Sequence, residues 1–327
     1  MQNSPKKNER YANFFKKSLP VLSFVIPFII LYFLDPVVFE KTWKGRMFYI
    51  FFLWLVSLEL ILAWEKLQSK LAKVKSTRTI ALILVVLLPT IYVVVANFYG
   101  VNAMIVNLAN SHKILWADVM PLSTEYLVFA VLFTLIVLVE FGLVGLKNFS
   151  ISASFLGIIG IIYTIDNVYP QGSFSPFQII VPTTTRLAAD VLGLIGYHTF
   201  WGGIQNGMPI LTAWGPQGSF GPTAIAWPCS GVESLLIYTV TILLFLKNST
   251  ISWKQRTVYF ILGAVVTYFI NVLRIVTIFV IAINHGDWMA FHDIYGQLYS
   301  ITWIVSYPLL IIGSQMLWAK IKNRRMA

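Results

Sequence analysis

The chain has 327 residues, of which 57% are hydrophobic and only 11% charged, and its mean hydropathy is +0.75. That composition excludes a soluble globular domain, because apolar runs recur that are long enough to span about 30 Å of hydrocarbon. A formal charge of +11 would suit a nucleic-acid partner, but the basic residues divide among short loops and no aromatic-interleaved basic platform exists, so no nucleic acid is expected.

In chain order the apolar runs predict an all-α polytopic membrane protein of about eight transmembrane helices. The spans fall near 19 to 34, 47 to 64, 79 to 97, 121 to 146, 151 to 168, 230 to 246, 257 to 280 and 298 to 318. Lys16 and Lys17 precede the first span in the manner of a signal peptide, but Asp35-Pro36 follows without a small-residue cleavage site, so the span is expected to stay as an anchor.

Cytoplasmic loops carry an excess of Lys and Arg. With the N-terminus inside, 18 of the 24 basic residues fall on the cytoplasmic side, whereas Lys41, Lys44, Arg46, Lys113 and Arg186 fall outside and Arg274 within a span. The expectation is a multi-pass protein of the plasma membrane with both termini cytoplasmic.

Three regions are expected: 1–168 with five helices, an extracytoplasmic Pro/Gly-rich cap over 169–228, and 229–327 with three helices and a basic tail. Within the cap, Thr185 to Tyr197 reads as an amphipathic interfacial helix. Asn206-Gly207 fits a type I′ hairpin turn, with Pro209 confining its strand to a sheet edge.

Cys229 is the chain's single cysteine, which excludes an intramolecular disulfide. It sits in Trp227-Pro228-Cys229-Ser230-Gly231, where a polar stretch gives way to an apolar helix. A helix start offers unpaired backbone N–H groups and the positive end of the macrodipole, both of which favour a thiolate. An inert packing thiol is the plainer alternative.

Helical rise brings two further residues into play. Cys229 lies 18 residues before Lys247, and Arg274 lies 17 residues after Thr257, distances of about 27 and about 26 Å from the cytoplasmic side. Consecutive antiparallel spans therefore bring both to one outer depth.

Thr267, Asn271, Arg274 and Thr277 recur at helical spacing and share a face. Glu233 lies one turn after Cys229 and so shares its helical face, which makes it the natural partner for Arg274, and a structural ion pair is the alternative to a functional arginine. Of the four histidines, His292 lies just before the last span, and its imidazole suits a general base for a thiol and an acid for a leaving amine. A bystander loop histidine is the alternative.

Cysteine, arginine and histidine together point to acyl transfer. No HExxH helix and no paired cysteines are present, so neither a metal nor another cofactor is expected.

At Cys229-Ser230-Gly231, Asn271-Val272-Leu273-Arg274 and His292-Asp293-Ile294-Tyr295-Gly296 the chain resembles the exosortase/archaeosortase family of membrane-embedded cysteine transpeptidases. The resemblance covers roughly the C-terminal half. It implies Cys229, Arg274 and His292 as catalytic residues, with Asn271, Ser230 and Gly231 in support; Glu233, at a position variable in the family, is expected in support from its spacing to Cys229, and the topology puts the site on the outer face.

It further implies membrane-anchored secreted substrates that carry a C-terminal tripartite signal: a short motif, a transmembrane helix and a basic cluster. Cleavage would proceed through a cysteine thioester, with the new C-terminus passed to an acceptor, a lipid being the one expected. A transporter or channel with Arg274 as an anion site is one alternative, and an intramembrane cysteine hydrolase is another.

Overall fold

The computed structural model describes residues 5–41, 43–67, 77–169, 173–247 and 251–326. The chain divides into two compact units, Met1–Val168 and Tyr169–Ala327.

The first unit comprises α1 (Pro5–Leu34), α2 (Pro36–Glu40), α3 (Met47–Ala63), α4 (Thr77–Phe98), α5 (Val101–Ser111), α6 (Met120–Asn148) and α7 (Ser150–Val168). Its core is aromatic, with Phe24, Tyr49, Phe52, Phe129 and Phe133 all buried. Phe28 stacks on Tyr49 at 4.5 Å, and Phe24 meets Phe129 edge-on at 5.4 Å. In lipid the apolar effect gives helices little reason to associate, so ring packing and satisfied polar groups hold such a bundle together.

Those polar groups are explicit. The Glu125 carboxylate accepts from Arg46 at 2.8 and 3.1 Å and from the Tyr49 hydroxyl at 2.7 Å. Burial works against the Arg46 charge, and the neighbouring Glu125 carboxylate with its hydrogen bonds more than offsets it, holding the guanidinium above the ordinary arginine pKa. Glu59 accepts from the Ser152 N–H at 3.2 Å and its hydroxyl at 2.6 Å, which satisfies donors in the first turn of α7.

The second unit contains α8 (Ser175–Gln178), α9 (Val181–Leu194), three strands β1 (His198–Gln205), β2 (Met208–Gly215) and β3 (Gly218–Ala224), then α10 (Val232–Lys247), α11 (Trp253–Ile283), α12 (Trp288–Ala290) and α13 (Gly296–Met326). The strands form one antiparallel sheet in the order β1-β2-β3. α9 turns Val181, Thr184, Thr185, Ala188 and Leu192 inward and packs against the sheet and α11.

Among the described residues, six helical stretches are long and apolar enough to cross a membrane: Phe14–Leu34, Ile80–Phe98, Ala117–Asn148, Ser150–Val168, Trp253–Ile283 and Tyr299–Trp318. Two shorter apolar helices, Met47–Ala63 and Ser234–Lys247, occupy the positions of the second and sixth expected spans. The fold is thus an all-α polytopic membrane fold, with a small sheet between α9 and α10.

Three local expectations are revised. The amphipathic helix begins at Val181 and ends at Leu194 rather than running from Thr185 to Tyr197, because Pro182 suits a first helical turn and Gly196 takes a left-handed φ of 92°.

Asn206 and Gly207 do make the hairpin turn, with φ of 50° and 78°, but Pro209 lies on the central strand, not an edge. It is tolerated there because it is the second residue of β2 and sits beyond the end of β3. Its carbonyl accepts from the Ile225 N–H at 3.0 Å, and no ladder donor is needed from it.

Finally, α11 starts at Trp253 and continues to Ile283. Its 31 residues rise about 46 Å, more than the hydrocarbon thickness. The surplus turns pack on the sheet, where Phe279 meets Phe220 with ring centroids 5.0 Å apart.

Candidate active site

Cys229 lies in a 3-10 turn, Trp227–Ser230, that precedes α10. The turn is closed by the Cys229 N–H donating to the Ala226 carbonyl at 3.0 Å and the Ser230 hydroxyl donating to the Trp227 carbonyl at 2.6 Å. Trp227, fully buried, anchors it through ring contact with Phe177 at 5.0 Å. Sequence reasoning gives Trp227 no role, and the Trp-Pro pair ahead of the cysteine is the signal that was available.

Gly231 then reverses the backbone with a φ of +96°, a conformation that suits glycine and strains other residues. A side chain there would also collide with Asn271, whose Cγ lies 2.9 Å from the position a Cβ would take. Gly231 therefore does two things: it turns the chain into α10 and it admits Asn271 against the cysteine turn. Cys229 and Glu233 therefore do not belong to one continuous helix, since the cysteine turn ends at Ser230 and α10 begins at Val232. The side chain of Glu233 lies outside the described residues.

α11 supplies the next two groups. Asn271 is fully buried and its Nδ2 donates to the Cys229 carbonyl at 3.0 Å, while its Oδ1 has no hydrogen-bond partner among the described residues. Arg274, 4% exposed, donates through one terminal nitrogen to the His292 carbonyl at 3.2 Å. Further along the stripe, Thr267 accepts from the Trp303 indole N–H at 3.1 Å, which ties α11 to α13. Thr277 donates back to the Leu273 carbonyl at 2.9 Å.

His292 lies in a single π-helical turn, Phe291–Tyr295, immediately before α13. Its Nε2 is 3.7 Å from the Cys229 Sγ, hydrogen-bonding reach for sulfur, with the donor set by the imidazole tautomer. Wider π turns of this kind commonly occur at functional positions. Here the turn's His292 carbonyl is the one that Arg274 holds.

The structure thus brings together Cys229, Ser230, Gly231, Asn271, Arg274 and His292. It does not bring the other second-unit histidines to the sulfur. His198 stacks on Trp214 at 5.9 Å, and the His285 Nε2 pairs with the Gln217 carbonyl at 3.1 Å. His112 ends α5 in the first unit. Among the described residues no cluster of three or more His, Cys, Asp or Glu side chains is placed to hold a metal.

A partly buried thiol beside an imidazole, backed by a buried guanidinium on membrane helices, defines the class: a multi-pass membrane protein with a cysteine-centred polar site. The family model for transmembrane exosortases (Exosortase_EpsH) matches residues 42–309, and the chain belongs to that family. It is a cysteine transpeptidase family, which makes this chain, in general terms, a membrane protein-sorting transpeptidase. The match extends beyond the motif-bearing half to α3–α7. No curated protein and no solved structure matches the chain significantly.

Proposed function

We propose that Cys229 is the nucleophile of a sorting reaction in which secreted proteins lose a C-terminal transmembrane helix and basic cluster and gain an acceptor at the new terminus. The observation that carries this reading is the 3.7 Å approach of the Cys229 Sγ to the His292 Nε2 in a member of a transpeptidase family.

His292 takes the thiol proton as sulfur attacks the scissile carbonyl carbon, and the carbonyl π electrons move to oxygen. The Arg274 guanidinium faces that oxyanion; positive charge in a water-poor site stabilises it far better than solvent does. Collapse of the tetrahedral adduct breaks the C–N bond, and His292 returns its proton to the leaving amine. A thioester remains on Cys229. An acceptor hydroxyl or amine, deprotonated by the same imidazole, displaces the thiolate and regenerates the enzyme.

Asn271 acts behind the nucleophile by fixing the Cys229 carbonyl and hence the turn, and Ser230 and Gly231 shape that turn. A lipid is the proposed acceptor because a substrate delivered by its own membrane helix presents its thioester beside the bilayer. The Lys and Arg distribution supports cytoplasmic termini and an outward-facing site in the plasma membrane.

Mass spectrometry of secreted and membrane proteins from cells carrying either chain tests the reading. The unmodified chain yields proteins truncated before a C-terminal apolar helix, with added mass at the new terminus. Cys229→Ser leaves the same proteins full length. Equal processing by both chains returns Cys229 to a packing role, and truncation to a bare carboxylate makes the enzyme a hydrolase.

A further inference from the structure

Between β3 and the cysteine turn the backbone carries hydrogen-bonding groups that the fold leaves unused. The two-residue turn after β2 makes Gly215 and Gly218 a hydrogen-bonded pair, and at the far end the Ile225 N–H donates to the Pro209 carbonyl at 3.0 Å. Alternation from either end makes Trp214 with Ser219, and Ile210 with Ala224, the non-hydrogen-bonded pairs.

The N–H and C=O of Ser219 and Ala224 therefore point away from β2. β3 is an edge strand, no strand pairs with its outer side among the described residues, and Ser219, Gly221, Pro222 and Ala224 are exposed. Ala226 continues the extended run with φ −93° and ψ 163°. Its N–H has no backbone acceptor among the described residues, and its carbonyl closes the cysteine turn.

A shift of register at Gly221-Pro222 interrupts the edge, and proline offers no N–H. What remains continuous is Thr223–Ala226, which presents the Ala224 N–H, the Ala224 C=O and the Ala226 N–H in a row. That is enough to pair with three or four residues of an extended peptide and no more. Ala226 is three residues ahead of Cys229 in a 3-10 turn, about 6 Å of rise.

The histidine side is tied in as well. Phe220 of β3 packs on Trp288 at 5.3 Å, four residues before His292. The opposite edge is unsuited: β1 is broken at Gly203, with φ +79°, and carries the exposed bulk of Phe200, Trp201 and Ile204.

We propose that Thr223–Ala226 is the docking strand for the short motif of the substrate, which adds to the sheet edge through its own main chain and so presents its scissile carbonyl to Cys229. The proposal rests on the transpeptidase reading above and names how that site holds its substrate class: an extended peptide segment lying directly before a C-terminal membrane helix.

The test exploits the single thiol. With Cys229→Ser the chain has no cysteine, so Ala224→Cys or Phe200→Cys added to it gives one site for benzophenone maleimide in native membranes. After irradiation, the Ala224 probe captures peptides that directly precede an apolar C-terminal helix and basic cluster, at least about tenfold above the Phe200 probe. Equal capture by the two, or capture only of peptides from this chain, overturns the proposal.

In the otherwise unmodified chain, Ala224→Pro deletes the outward N–H and leaves the β2 ladder intact. Processing falls about tenfold, the scale of one lost hydrogen bond, while iodoacetamide labelling of Cys229 stays within about twofold. Full processing by Ala224→Pro sinks the docking strand and leaves the transpeptidase reading standing. Absence of any truncated secreted protein from cells with the unmodified chain removes both.

Discussion

At Gly231 one residue joins backbone conformation to catalytic geometry. Its left-handed φ of +96° and the Asn271 side chain at 2.9 Å from its virtual Cβ mean that Gly231→Ala must both strain the turn and displace the amide that holds the Cys229 carbonyl. The left-handed conformation alone costs about 1 to 2 kcal/mol for an L residue. Gly231→Ala is expected to insert and fold, with a modest loss of thermal stability in detergent, and to lose processing by more than about tenfold, since small displacements at reacting atoms are costly. Near-normal processing would separate the glycine from the site.

The histidines make a parallel residue-scale comparison. His292→Ala removes the imidazole at the sulfur and should abolish processing, whereas His285→Ala and His198→Ala remove only a turn contact and a ring stack. Their processing rates should stay within about twofold of the unmodified chain, because surface changes away from buried networks are mild. A reversed ranking would reassign the base.

At the scale of elements, the close approach of α10, α11 and α13 depends on Gly263. A Cβ on that residue would lie 2.2 Å from the Tyr238 hydroxyl oxygen and 2.5 Å from a ring carbon of Tyr307. Both tyrosines donate to α11 carbonyls: Tyr238 to Phe260 at 2.8 Å and Tyr307 to Tyr259 at 2.7 Å. Small residues let membrane helices approach closely, and interhelical hydrogen bonds then hold them there. Gly263→Val should force the three helices apart and destabilise the protein by about 1 to 3 kcal/mol, as overpacking does. The measurement is thermal unfolding of the purified protein in detergent, and an unchanged midpoint would contradict this packing.

The same scale shows what sequence makes legible. Long apolar runs with few charges declare membrane helices, because lipid requires every backbone group to be satisfied within the segment. Asn206-Gly207 likewise declares its turn through the positive φ both residues adopt. The strand order is not local information: Pro209 sits centrally because β3 stops short of it, and no residue near Pro209 encodes where β3 ends. Glu233 was placed with Cys229 by helical periodicity, and periodicity fails where a single left-handed residue reverses the chain. Asn271 and Arg274 stand out in the sequence because polar residues are rare in apolar helices, and Cys229 stands out as the single cysteine. His292 carries no periodic signal; its place just before the last span singles it out, and the structure sets its Nε2 3.7 Å from the Cys229 Sγ.

At the scale of the whole molecule, placing the cysteine turn on the outer side of the membrane depends on the basic loops and tails. Lys and Arg resist translocation, and their bias sets the orientation of a multi-pass chain. With 18 of 24 basic residues assigned to one side, the proposed topology makes that side the cytoplasm, and with Lys247 ending α10 on the basic side it puts the cysteine turn ahead of α10 on the outer side. The single cysteine makes this directly measurable, since any thiol label on the protein reports one position. A membrane-impermeant maleimide added to intact cells should label Cys229, which is partly exposed, and pretreatment with it should block later labelling by a permeant reagent. Permeabilising the cells should add little. Labelling that requires permeabilisation would invert the topology, carrying the termini outward and placing the proposed transfer reaction on the cytoplasmic face, where secreted substrates would no longer present their signals.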